Sequence, residues 1–347
     1  MKLATIKNPQ QQLRVVVQLP VNGRELLLDA ARIYGALPNH IVADAARQAH
    51  QVIPCDLRLL IENGATGLRA LRQVLDWARV QLSGSDCEPG WHRLGWLYTP
   101  DEVTWLPPIV RPGKIISCGG NYRDHVAETT AFAGNEARCP DERLQAALQV
   151  DAPPAFAKFS SSLIGHQQPV VHSRHTAQLD YEGELCVVIG QRCKDVRPED
   201  CSRVIAGYTI MNDISMRDLQ FRHFDRVKGT GQFDSVLGKN LDGAGPCGPY
   251  LVTADEIVDP QRLQLATYVN GERRQWANTA DMIYPIAMII AHYSRMTLEP
   301  GDIFTTGNPA GSAMGRKPPG AFWLRPGDLV EVEIEGIGRL SNRIIAE

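Results

Sequence analysis

The chain has 347 residues, with 36 Lys and Arg against 39 Asp and Glu, for a formal charge of −3. That near balance excludes the extended basic face that nucleic-acid and membrane-surface proteins need. At 44% hydrophobic and 22% charged residues, the composition is that of a globular protein with room for about two domains.

The opening residues Met1 to Lys7 lack the apolar core and small-residue cleavage site of a secretory signal. The most apolar segment, Met282 to Tyr293, is too short to span a bilayer and carries His292. The eight cysteines form no C-x-x-C pair and are irregularly spaced, so neither a zinc ribbon nor a disulfide framework is expected. Free thiols in a reducing cytoplasm are the expectation.

Along the chain, Leu13 to Leu19 is predicted as a strand, followed by helical material over Asp29 to Tyr34, Val42 to Val52 and Gly67 to Leu82. In the last of these, Leu68, Leu71, Leu75, Ala78 and Leu82 recur at helical spacing. Leu106 to Gly113 carries three prolines and reads as an extended linker, because each Pro biases its predecessor away from helix. The predicted division is therefore an accessory α/β domain over residues 1–110 and a larger unit over 111–347. In the larger unit, strands are expected at Lys114 to Cys118, Gly183 to Gly190, Val204 to Met211, Leu263 to Val269 and Leu329 to Ile334. Asn270-Gly271 is a strong hairpin signal, and a helix is expected from Pro285 to Ser294. The fold class is α+β with strands dominant.

Two constellations carry chemistry. In Asp180-Tyr181-Glu182-Gly183-Glu184, strand periodicity puts Glu182 and Glu184 on one face, with Gly183 leaving the other bare for close packing. Asp213 stands where a second apolar strand meets a polar turn. Three carboxylates without a Cys or His neighbour suit Mg²⁺ or Mn²⁺; taken alone, the pattern also describes a solvated acidic strand face. The second constellation is His125 and Glu128, three apart on a helical turn after Gly119-Gly120, where a carboxylate beside an imidazole raises its basicity.

In order along the chain, Arg111 to Ile116, Gly120-Asn121-Tyr122, Asp124-His125, the E-x-E strand, Asn212 to Asp218, Gly238-Lys239, Gly245 to Pro249, Val269 to Glu272 and Thr306 to Gly311 resemble the fumarylacetoacetate hydrolase family domain, over about two thirds of the chain. The resemblance implies a mixed β-sandwich roll, usually homodimeric, holding Mg²⁺ or Mn²⁺ on Glu182, Glu184 and Asp213. It implies His125 and Glu128 as a water-activating dyad on a lid, with Lys239 adding positive charge at the substrate. Arg217, Gln220, Lys158, Tyr122, Thr306 and Gly307 match positions that contact substrate or line its pocket.

The implied substrates are β-diketo or 2-oxo acids. The dyad points to hydrolysis of a C–C bond in an acylpyruvate or fumarylpyruvate, as in the catabolism of aromatic rings. A lyase or isomerase on the same scaffold is the alternative: an oxaloacetate decarboxylase, an ene-acid hydratase, a hydroxymuconate isomerase or a sugar-acid dehydratase. Three departures stand out. Cys118 occupies a position where some members place a further metal-binding Asp, Asn308 replaces the usual Thr of T-G-T-P, and 24 residues separate Glu128 from Pro153, a longer lid than in compact members.

Overall fold

The computed structural model describes residues 1–83, 88–132, 152–225, 230–318 and 320–347. Cys87, Cys139 and most of the long segment after Glu128 lie outside them. The other six cysteines are free thiols, and no helix among the described residues is long and apolar enough to cross a membrane.

Strands dominate, as expected, and form two main sheets. The larger has twelve strands, in the order Leu97–Tyr98, Arg24–Asp29, Leu13–Val21, Lys2–Lys7, Gly245–Thr253, Ile205–Asn212, Gly183–Ile189, Ile303–Thr305, Ile115–Cys118 and Ala155–Ala157. Thr104–Trp105 adds to Lys2–Lys7, and Leu163–Ile164 to Gly245–Thr253. The smaller has five, ordered Glu272–Asn278, Gln264–Val269, Leu329–Ile334, Gly338–Ala346 and Val170–His172.

Local chemistry sets these elements. Asn270 and Gly271, at φ 52° and 80°, make the hairpin between Gln264–Val269 and Glu272–Asn278. In Leu329–Ile334, Val330, Val332 and Ile334 are buried between partly exposed neighbours, the predicted alternation. The helix Gly64–Leu82 buries Gly67, Ala70, Leu71, Val74, Leu75, Ala78 and Leu82. Leu68 was predicted within that stripe but is 37% exposed, because the buried face is centred on Leu71 and Val74 and Leu68 falls on its flank. Pro285 precedes the helix Ile286–Tyr293 as its N-cap.

Two apolar layers sandwich the acidic strand Gly183–Ile189. Leu185, Val187 and Ile189 pack with Leu265, Val332 and Leu340 toward the smaller sheet. Cys186 and Val188 face a second layer that includes Leu3, Val17, Leu28, Leu71 and Val74. A Cβ on Gly183 would lie 2.3 Å from Thr267 Oγ1 and 2.9 Å from Val332 Cγ1, so glycine sets how closely the sheets approach. Residues 1–110 join this architecture directly: Lys2 pairs with Val252 and Leu3 with Leu251 along one sheet.

Candidate active site

Register brings the carboxylates together. Gly183 pairs with Asn212, so Asp213 lies beside Glu182, and the Asp213 N–H donates to the Glu182 carbonyl at 2.8 Å. Glu182, Glu184 and Asp213 are all buried, each offering an oxygen within 4.8 Å of the others. Three buried carboxylates at this separation repel strongly unless cations intervene.

The charges are unevenly met. Lys239 Nζ bonds both Glu182 and Asp213, at 2.8 Å for the latter, and Arg217 Nη2 bonds Glu182. Lys158 Nζ lies 2.8 Å from Asp213 Oδ1 as an ion pair without hydrogen-bond alignment, and donates to the Lys239 carbonyl. Burial works against the Glu182 carboxylate, but Arg217 and Lys239 outweigh it and hold its pKa well below the usual range. Glu184 goes the other way: burial and the charges of Asp213 and Glu182 push it well up. Its Oε2 accepts from the Gly307 N–H at 2.9 Å, and among the described residues it forms no salt bridge. All-oxygen donors with one carboxylate lacking a contacting cation fit a hard divalent ion such as Mg²⁺ or Mn²⁺.

The helix Arg123–Phe132 starts just beyond Gly120, whose φ of 60° turns the chain out of the strand Ile115–Cys118. It carries His125 and Glu128 to the site. His125 Nδ1 lies 3.5 Å from Glu128 Oε2, and Nε2 lies 4.0 Å from Glu182 Oε1. The Gly311 N–H donates to both Glu128 oxygens, at 2.9 and 3.0 Å. Asn308, the departure from T-G-T-P, places Nδ2 3.4 Å from His125 Nδ1.

A cavity of about 480 Å³ opens over these groups. His125, Glu182, Arg217, Gln220 and Lys239 line its polar side; Phe156, Phe221, Phe233 and Met314 line the apolar one. Arg217 Nη1 donates to Gln220 Oε1 at 2.8 Å, which fixes both heads. Cys118 is also on the wall, and burial and the Glu184 charge push its pKa up, so it is a neutral thiol.

Other residues singled out from sequence sit elsewhere. Lys158 lies behind Asp213 and does not line the cavity. The Thr306 hydroxyl donates to the Leu185 carbonyl at 3.0 Å, and Gly307 reaches the site through its N–H. Tyr122 is 2% exposed and lines a separate cavity of about 300 Å³ with Trp276 and Met282.

Sequence reasoning missed Asp180, whose carboxylate accepts from Arg217 Nε at 2.8 Å, as well as Gly311 and the aromatic wall. Asp180 had a signal: the two-residue spacing that joins Glu182 to Glu184 extends one step back to it.

The family model described as fumarylacetoacetate (FAA) hydrolase C-terminal matches residues 114–345. The oxaloacetate tautomerase YisK of Bacillus subtilis is 40% identical over 297 residues, 85% of this chain and 88% of that one. Among solved structures, the fumarylacetoacetate hydrolase of Exiguobacterium antarcticum covers all of both chains at TM-score 0.69 and 31% identity. The maleylpyruvate hydrolase of Sphingobium sp. SYK-6, solved with manganese(II) and pyruvate, covers 100% of this chain and 99% of that one at TM-score 0.66 and 26% identity.

Proposed function

The chain is an enzyme of the fumarylacetoacetate hydrolase family, and from that premise we propose that it interconverts the keto and enol forms of a small 2-oxo acid, oxaloacetate being the leading substrate. The observation that carries this reading is the placement of His125 between Glu128 and the acidic centre, on the cavity wall. Keto–enol exchange needs one group to take a proton from C3 and return it at the C2 oxygen, and a cationic environment for the charge on that oxygen in between. Glu128, 3.5 Å from His125 Nδ1, stabilises the imidazolium that forms when the ring takes a proton, while Nε2, 3.4 Å from the Thr129 hydroxyl, lies on the side of the acidic centre. The 40% identity to YisK across most of both chains supports tautomerisation over the other chemistries this scaffold hosts.

Glu182, Glu184 and Asp213 would hold the divalent cation, which when bound supplies Lewis-acid polarisation of the 2-oxo group. Arg217 and Gln220, locked to each other, present fixed donors to the substrate carboxylate. Lys239 offers an ammonium to the developing oxyanion. His125 takes the C3 proton, electrons move into a C2=C3 bond, and the same imidazolium then protonates the C2 oxygen, so no water is consumed.

C–C hydrolysis of an acylpyruvate is the second reading, favoured by the cavity's size and apolar wall, which exceed the needs of a four-carbon diacid. One experiment separates them. Protein loaded with Mn²⁺ or Mg²⁺ is mixed with enol-oxaloacetate, followed by its ultraviolet absorbance, and separately with acetylpyruvate and fumarylpyruvate, followed by NMR. Chelator-sensitive acceleration of enol decay without cleavage of the acylpyruvates is the expected result; release of pyruvate from an acylpyruvate with no effect on the enol establishes the hydrolase instead. His125→Asn is expected to lower enol turnover roughly a hundredfold or more.

A further inference from the structure

Outside the groups that meet substrate, one buried carboxylate joins the two halves of the site. Asp180 is fully buried and does not line the cavity. Its Oδ1 accepts from the Tyr181 N–H at 2.9 Å and the Ala313 N–H at 2.7 Å. Its Oδ2 accepts from Arg217 Nε at 2.8 Å and the Met314 N–H at 3.2 Å. All four partners are donors, so the position requires an anion that only accepts.

The backbone donors at Ala313 and Met314 belong to a strap, residues 307–315, that crosses the site. Its Gly307 N–H meets Glu184, its Asn308 amide lies beside His125, and its Gly311 N–H holds both oxygens of Glu128. The Tyr181 hydroxyl donates to the Gly311 carbonyl at 2.9 Å, tying the strap down at the residue that holds Glu128. The strap has no slack: a Cβ on Gly311 would lie 2.1 Å from the Arg274 carbonyl oxygen, and one on Gly315 would lie 2.3 Å from Glu128 Cδ. On its other side Asp180 grips Arg217, which in turn bonds Glu182.

We propose that Asp180 is a positioning residue that sets the His125–Glu128 pair against the acidic centre, by holding the strap through both oxygens, at Ala313 and Met314, and Arg217 through Oδ2. It touches neither the dyad nor the cavity surface and acts through the strap backbone at Ala313 and Met314. The proposal rests on the dyad being the proton-transfer group of the reading above. Asn in its place would keep the shape and turn an N–H₂ either toward Arg217 and the Met314 N–H or toward the Tyr181 and Ala313 N–H groups, donor against donor.

The test uses the full chain carrying Asp180→Asn, Tyr181→Phe and Glu128→Gln, singly and combined. In metal-loaded protein, Asp180→Asn is expected to lower kcat for enol-oxaloacetate roughly tenfold to a hundredfold. In the Glu128→Gln background the same change is expected to cost less than about twofold, because residues acting as one unit are non-additive. Independently of turnover, hydrogen exchange on metal-free Asp180→Asn should speed at residues 123–129 and 311–315 and stay unchanged in the strand Gly183–Ile189. Tyr181→Phe, which removes one tether and no charge, should move both readouts the same way by less, and it decides the matter if Asp180→Asn does not fold.

An equal loss with and without Glu128, or faster exchange through the acidic strand, would show plain destabilisation and overturn the proposal. So would Tyr181→Phe matching wild type in both readouts. If wild type leaves the enol untouched, the tautomerase reading falls, and the exchange comparison still judges Asp180.

Discussion

Glu128 and Gly315 are in such close contact that a single methyl group tests the dyad. Gly315→Ala would put a carbon 2.3 Å from Glu128 Cδ, and the flexible Glu side chain is the part able to yield. Turnover should fall about tenfold or more while the melting temperature stays nearly constant, as checked by steady-state kinetics beside calorimetry. His166 offers a pH test away from the site. Burial pushes its pKa down to about 4, and its Nδ1 accepts from the Ser341 N–H at 3.0 Å, so the folded protein needs it neutral. The folded state therefore binds fewer protons at this ring than the unfolded chain does. Stability should be unaffected above about pH 6.5 and decline as pH falls toward 4, by on the order of 2 kcal/mol. Urea melts at stepped pH should show this, and His166→Asn, which keeps an acceptor, should flatten that part of the slope. At this scale alternation put Glu182 and Glu184 on one face, but that pattern alone also describes a solvated acidic strand, and it was the family resemblance that joined Asp213 to them; the fold brings the three together. The role of Asp180 was not legible, since its partners Ala313 and Met314 lie far along the chain and only the fold brings them together.

Among the elements, the acidic strand is the piece whose packing and chemistry are hardest to separate. Glu182 and Glu184 occupy one face of it, and the gap at Gly183 lets the smaller sheet close on the other. Gly183→Ala should cost about 1–3 kcal/mol by overpacking against Thr267 and Val332. It should also weaken Mn²⁺ binding, because the flanking carboxylates shift with the backbone. Denaturant melts and metal titration on one preparation would measure both; a stable variant with intact affinity would show the sheets to be more compliant than the contacts indicate. The Asn270-Gly271 hairpin, the helices Gly64–Leu82 and Ile286–Tyr293 and the alternation of Leu329–Ile334 were readable within a few residues, since turn residues and periodicity act over short windows; the short helices Leu57–Glu62 and Glu88–Arg93 and the strand Lys2–Lys7 were not. Leu68 is the instructive miss: spacing alone marks a face without fixing its centre, which depends on what packs against it.

The whole molecule ties residues 1–110 to the rest through a shared sheet and a shared apolar layer. Leu3, Val17 and Leu28 pack in one cluster with Val188, Met211, Cys247 and Leu251. We propose that the accessory segment and the catalytic unit do not fold independently. A protein cut to residues 111–347 would expose the edge of Gly245–Thr253 and the apolar side chains beneath it, and it should be recovered mostly as aggregate. Soluble expression with a cooperative melt and retained metal binding would instead mark the segment as separable. The change of texture near residue 110 was visible in the sequence, and the truncation tests whether it marks a domain boundary. Pairing between strands so distant leaves no local trace, which is why the seam was not.

That seam has a consequence for synthesis. Lys2 finds its partner only at Val252, on the far side of most of the enzyme. At ordinary ribosomal speeds the first strand emerges roughly ten to fifty seconds before the one it joins. Until then the Lys2–Leu3 end of the early hairpin carries an unsatisfied edge, Thr104–Trp105 covering only Ile6 and Lys7. Closing the sheet is thus a late, long-range event, and the early strands are where a chaperone would find this chain.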